Sequence, residues 1–215
     1  MADGIDAGTR QQILLFMTTE HAAQQIARSS TIQEANGRAS LFLTSVSSAT
    51  VALAFVGQVT QLSERFLLFG VILLPCVYFI GLVTFVRAVQ VAIEDMVHAR
   101  GIARIRHYYV ELAPSMRRYI IQSIHDDYMG MLGELGLRPS PWQSFMTTSG
   151  MVSVIDGAIA GAFTGLVVKA TSGSIVAAIL LGIAAFTVSI FLFWRYQVRA
   201  WATAEQRLTV LFPTT

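Results

Sequence analysis

Charge is scarce in this chain: of 215 residues, 13% are Asp, Glu, Lys or Arg, while 54% are hydrophobic. An ordinary soluble domain carries roughly a quarter charged residues. Too few polar side chains remain to cover a water-facing surface of this size, so much of the surface must face lipid. Cysteine is nearly missing too. Cys76 stands alone inside an apolar run, which excludes an intrachain disulfide and a thiolate metal site. Net charge is small, formally +2, and gives no reason to expect a nucleic-acid partner. Lysine occurs once, at Lys169; the other basic residues are arginines. A secretory signal is not expected, because Met1, Ala2, Asp3, Gly4, Ile5 and Asp6 open the sequence with acid rather than base, and the apolar stretch 13–17 is short for an h-region. Insertion is therefore expected to rely on the first true membrane helix. No GxSxG, HExxH, Walker or GxGxxG pattern occurs, so neither an enzyme nor a cofactor is expected.

What the sequence does contain is four long windows with almost no charge. About 20 consecutive apolar residues cross the hydrocarbon as a helix, and the stretches 40–59, 66–86, 150–168 and 175–194 all qualify. Only the third holds an acid, Asp156; the second holds Pro75. The fold class expected is all-α: an integral membrane protein of four transmembrane helices with cytosolic helical extensions. The expected segments are an amphipathic N-terminal helix at 1–39, a hairpin at 40–88, a cytosolic helical segment at 89–148, a second hairpin at 149–194 and a tail at 195–215.

Orientation follows from the arginines. The two short connections carry only Arg65 and Lys169, whereas Arg10, Arg28, Arg38, Arg87, Arg100, Arg104, Arg106, Arg117, Arg118, Arg138, Arg195, Arg199 and Arg207 lie in the long segments. Basic loops stay inside, so a multi-pass protein of the cell membrane with both termini cytoplasmic is expected. Trp194, Tyr196 and Trp201 fit an interfacial belt.

Outside the spans the chain reads as helical. Ile13, Phe16, Met17, Ala23, Ile26 and Ala27 recur at helical spacing, and this apolar stripe is expected to face the central segment or a neighbouring subunit. In the central segment Val89, Ile93, Met96 and Val97 form one face, with Glu94, Asp95, His98 and Arg100 turned outward. Gly101 is a candidate break. Pro114 is expected to separate a first helix from a second over 115–135, and Gly136, Pro139 and Pro141 to mark a turn into the third span.

Asp156 is the sharpest polar feature. A charged aspartate at bilayer depth costs roughly 2.5–3.5 kcal/mol on insertion scales, which leaves two readings. One is a pore-lining, cation-binding or proton-carrying carboxylate; the other is an ion pair with Arg38, Arg87 or Arg195 at the boundary. Beside it Gly157, Gly161 and Gly165 form a doubled small-xxx-small ladder, a helix-packing pattern whose partner helix the sequence leaves open. Ser40, Thr44, Ser47 and Ser48 share one face of the first span. They read either as a hydrated path or as hydroxyls bonded to their own helix. Glu94 and His98, one turn apart, read as a metal pair or as a solvated face, and His125, Asp126 and Asp127 form a second such cluster. His107, Tyr108 and Tyr109 read as packing groups.

The stretches RSSTIQEANGRASLFLTSVSSATVALAF and GIARIRHYYVELAP resemble a family of uncharacterised bacterial four-span membrane proteins, a resemblance that covers most of the chain and carries no biochemical assignment. The layout of membrane hairpins and cytosolic helices is also similar to that of SLATT-type membrane effectors linked with bacterial nucleotide-signalling defence. That resemblance implies an oligomeric pore or membrane disruptor. The expectation is a homo-oligomer in the lipid bilayer forming an ion channel or pore-like assembly. Asp156, Thr44, Ser47 and Ser48 are expected on its polar path and Arg38, Arg87 and Arg195 at its cytosolic mouth. The alternative is a membrane-anchored signalling or scaffold protein whose cytosolic helices bind an unidentified ligand or protein.

Overall fold

The computed structural model describes residues 6–134 and 145–214. Helix α1 runs Ala7–Thr60, α2 Glu64–Leu112, α3 Tyr128–Glu134, α4 Thr148–Ser172 and α5 Ile175–Arg207, with a 3-10 turn at Pro114–Tyr119 between α2 and α3. All regular structure among the described residues is helical. Four of the helices, α1, α2, α4 and α5, are long and apolar enough to cross a membrane, so the chain is a multi-pass membrane protein built as a helical bundle.

Local chemistry sets the helix ends. Asp6 caps α1, its carboxylate accepting from the Thr9 N–H at 3.1 Å, and no proline interrupts the 54 residues that follow. The turn to α2 is tight: Gln61 and Leu62 take left-handed φ values of 50° and 58°, and the Leu62 N–H reaches the Gly57 carbonyl at 3.1 Å. Pro75 lies inside α2 without ending it. A single missing N–H costs one ladder bond, which neighbouring helices and local adjustment can absorb in a membrane helix. Thr147 caps α4, accepting from the Gly150 N–H at 3.1 Å. Gly173, in the left-handed region at φ 69°, closes α4 by donating its N–H to Lys169.

The described residues fall into two units, one drawn from 6–33, 91–134 and 204–214, the other from 34–90 and 145–203. In the second unit Phe42, Phe85, Val89 and Val152 are fully buried. Phe85 packs on Phe193 with ring centroids 4.5 Å apart. Leu41, Val51, Phe55, Ile72, Phe79, Leu180 and Ile183 are exposed, as side chains facing acyl chains should be.

The first unit departs from the sequence reading in four places. The apolar stripe of α1 divides: Ile13, Met17 and Ala27 are half-buried, whereas Phe16 and Ile26 are 76% and 71% exposed and Ala23 is exposed as well. Polar residues form part of the seam with α2. Arg28 pairs with Asp95 at 2.8 Å, and Gln24 Oε1 lies 2.6 Å from His98 Nδ1. Second, Arg100 is buried and paired with Glu205 rather than turned outward, while Val97 is exposed. Third, Gly101 does not break α2, which continues through it to Leu112.

Fourth, no helix spans 115–135. The 3-10 turn at Pro114–Tyr119 gives way to irregular chain, and only α3 follows. The Asp126 N–H donates to the Phe212 carbonyl at 3.2 Å, a tertiary bond that a helical Asp126 would not be free to make. The turn expected at Gly136, Pro139 and Pro141, and Arg138 with it, lie outside the described residues.

Candidate functional site

Asp156 projects from α4, about two turns from its N-terminal end at Thr148, into a niche beside Phe42 of α1 and Gly81 of α2. It is fully buried, and neither carboxylate oxygen has a hydrogen-bond partner among the described residues. The niche exists because residue 81 is glycine: a Cβ there would overlap the Asp156 carboxylate and stand 2.8 Å from Cε2 of Phe42. Nearby buried hydroxyls are satisfied locally and do not turn toward it. Thr84 donates to the Ile80 carbonyl at 2.8 Å and Ser153 to the Gly150 carbonyl at 2.7 Å.

The boundary arginines are engaged elsewhere or exposed. Arg87 Nε donates to Glu34 Oε1 at 2.8 Å and Arg38 Nε to the same oxygen at 2.9 Å, so Glu34, not Asp156, is the acid they share. Arg195 is exposed. The ion-pair reading of Asp156 is therefore not what the geometry offers. The carboxyl sits in an apolar niche, where an unpaired charge costs far more than in water.

The hydroxyl face of α1 lies elsewhere. Ser40, Thr44, Ser47 and Ser48 are exposed, while Ala39, Phe42 and Ala49 on the opposite face are buried. Thr44 donates to the Ser40 carbonyl at 2.9 Å, the own-helix bond that lets a hydroxyl tolerate hydrocarbon. Asp156 and the stripe are thus not brought together: one is enclosed within the chain, the other is displayed on its outside.

The glycine ladder finds its partner in the same chain, on α5. A Cβ at Gly161 would lie 2.8 Å from the Gly182 carbonyl oxygen, and one at Gly182 would lie 3.0 Å from that of Gly161. Gly157 meets Ile190 and Phe186, and Gly165 meets the Ala178 carbonyl. The backbones touch, so Gly161→Ala must push α4 and α5 apart. It should lower stability by about 2 kcal/mol, read as a fall in melting temperature in detergent. Gly37→Ala, with nothing within 4 Å of its Cβ position, is the control expected to show no loss.

In the first unit the His/Asp cluster proves to be a fastening. Asp126 is fully buried and accepts from Arg104 Nε at 2.7 Å and from the N–H groups of Leu211 and Phe212 at 3.1 and 2.8 Å. Burial would raise its pKa, but the Phe212 and Leu211 N–H groups and Arg104 outweigh that and hold it below the ordinary carboxylate value. His107 stacks on Phe212 at a centroid distance of 3.8 Å. Among the described residues no group of three or more acids, histidines or cysteines is placed to hold a metal ion.

Sequence reasoning missed Gly81, Glu34 and Gly182. Signals for them exist. Gly81 and Gly182 are glycines inside spans, and Glu34 precedes Arg38 by one helical turn. Nothing local marks Phe212 as the partner of Asp126. No protein-family model, curated protein or solved structure matches the chain.

Proposed function

We propose that the chain assembles with copies of itself in a cell membrane to form an ion-conducting, pore-like assembly, with both termini on the cytoplasmic side and α1 facing neighbouring copies. The observation that carries this reading is the outward hydroxyl face of α1. Four hydroxyl residues, Ser40, Thr44, Ser47 and Ser48, share the exposed side of a membrane-crossing helix with Leu41, Val51 and Phe55, while Phe42 points inward. Copies that turn these faces toward a shared axis would surround a hydrated path. In the other unit the same helix exposes Leu15, Phe16 and Ile26 at 67%, 76% and 71%, which water disfavours and a neighbour would cover.

In this reading the path belongs to Thr44, Ser47 and Ser48. Asp156 serves the packing of one chain, and Arg38 and Arg87 reach the mouth as a pair clamped on Glu34. Reconstituted liposomes test it. Wild-type protein should pass monovalent ions, and Ser47→Leu/Ser48→Leu should cut the flux at least tenfold while leaving the melting temperature within a few degrees. Flux unaltered by the leucines would reject the path.

The exposed Leu15, Phe16 and Ile26 also favour a second reading, a membrane-anchored scaffold that docks a helical protein partner. Purified protein would then conduct nothing.

A further inference from the structure

After α5 the chain runs through Leu208 to Thr214 without regular secondary structure, fastened by polar contacts rather than deep burial; Leu211 is 54% exposed. Successive N–H groups of Leu211 and Phe212, where the backbone bends, converge on the Asp126 carboxylate, the arrangement by which a turn of backbone cups an anion. The Phe212 carbonyl accepts from the Asp126 N–H at 3.2 Å, so residues 126 and 212 bond in both directions. The Phe212 ring lies on His107 with the planes 18° apart. Arg104 bridges the Asp126 carboxylate and the Thr209 carbonyl, and Asp127 accepts from the Thr214 N–H at 3.2 Å and from its hydroxyl.

These contacts divide cleanly. Arg104 and His107 come from α2 and Asp126 and Asp127 from the stretch after it, forming a fixed set of charges and a flat ring. The other side supplies a bent peptide whose two N–H groups are taken up by Asp126, with an aromatic ring, a proline and a hydroxyl. We propose that this surface is a peptide-binding site and that residues 209–214 are its resident, displaceable ligand. The class of ligand is a segment bent at an aromatic–Pro–Thr sequence, and the occupant is this chain's own. The proposal is independent of whether the assembly conducts.

The test uses full-length protein in detergent and a fluorescent peptide of the sequence of residues 208–214. Wild-type protein, its site filled, should bind the peptide weakly. Leu211→Pro/Phe212→Ala, which removes one N–H and the stacked ring, should bind it at least tenfold more tightly, and adding Asp126→Asn should abolish that gain. A second measurement needs no weakened tail. Val210→Cys in a Cys76→Ser background carries an environment-sensitive dye, and excess unlabelled peptide should shift its emission in proportion to occupancy. Equal peptide affinity in wild-type and tail-weakened protein, affinity indifferent to Asp126→Asn, or an emission unmoved by saturating peptide would each overturn the proposal. So would tail exchange between copies, seen as crosslinked dimers through residue 210.

Discussion

Gly81→Ala should destabilise the second unit by about 3 kcal/mol, and Asp156→Ala in the same chain should restore most of that loss. The added methyl has nowhere to go. On one side is the Asp156 carboxylate and on the other, 2.8 Å away, the ring of Phe42. Both neighbours are fully buried, so α4 or α1 must move. Overpacking of this kind costs about 1–3 kcal/mol, occasionally more, and a displaced carboxyl with no partner adds to it. Truncating Asp156 removes the tighter of the two overlaps and leaves the one with Phe42, so the double variant should melt above Gly81→Ala alone. Unfolding in detergent, followed by tryptophan fluorescence or heat, measures the coupling. Additive losses would mean that Gly81 and Asp156 do not share the niche. Asp156→Asn, which keeps the shape, should cost less than about 1 kcal/mol, because no ion pair is lost.

The second large effect is expected at Asp126. Asp126→Ala removes the acceptor of three hydrogen bonds, one of them charged. Bonds to charged groups contribute about 1.5–3 kcal/mol each when buried, and solvent reclaims part of that once the tail is free. A net loss of about 3 kcal/mol is expected, with faster proteolysis after residue 207 and protection elsewhere unchanged. The pH dependence has a definite sign. Asp126 is held below its ordinary value in the folded chain, so its stabilisation is present above about pH 4, the unfolded value. It is lost as pH falls through the lower folded value. Acidification below about pH 4 should therefore release the tail of the wild type and leave Asp126→Ala unaffected.

The spans were legible because hydrocarbon selects on composition: four charge-poor windows need no partner to be recognised. The ladder at Gly157, Gly161 and Gly165 was legible for the same local reason, as a run of missing side chains. What the sequence could not give was the identity of distant partners. Arg28 meets Asp95 across 67 residues and Gln24 meets His98 across 74. With those polar pairs in the seam, Phe16 and Ile26 face outward while Ile13, Met17 and Ala27 of the same stripe are half-buried. The region 115–135 reads as helix until Asp126 is seen bonded to a segment 85 and 86 residues away. Asp156 invited an arginine partner, but Glu34, one turn before Arg38, takes two of the three candidates, Arg38 and Arg87.

The most direct test of the account is water access along the outer face of α1. With Cys76→Ser as background, cysteines at Thr44, Ser47 and, on the opposite face, Ala49 are treated in intact membranes with a charged, membrane-impermeant thiol reagent. A shared hydrated axis predicts rapid labelling at positions 44 and 47, loss of ion flux on labelling, and protection at 49. Labelling absent at 44 and 47, with flux unchanged, would place that face in lipid or against a dry neighbour and contradict the pore.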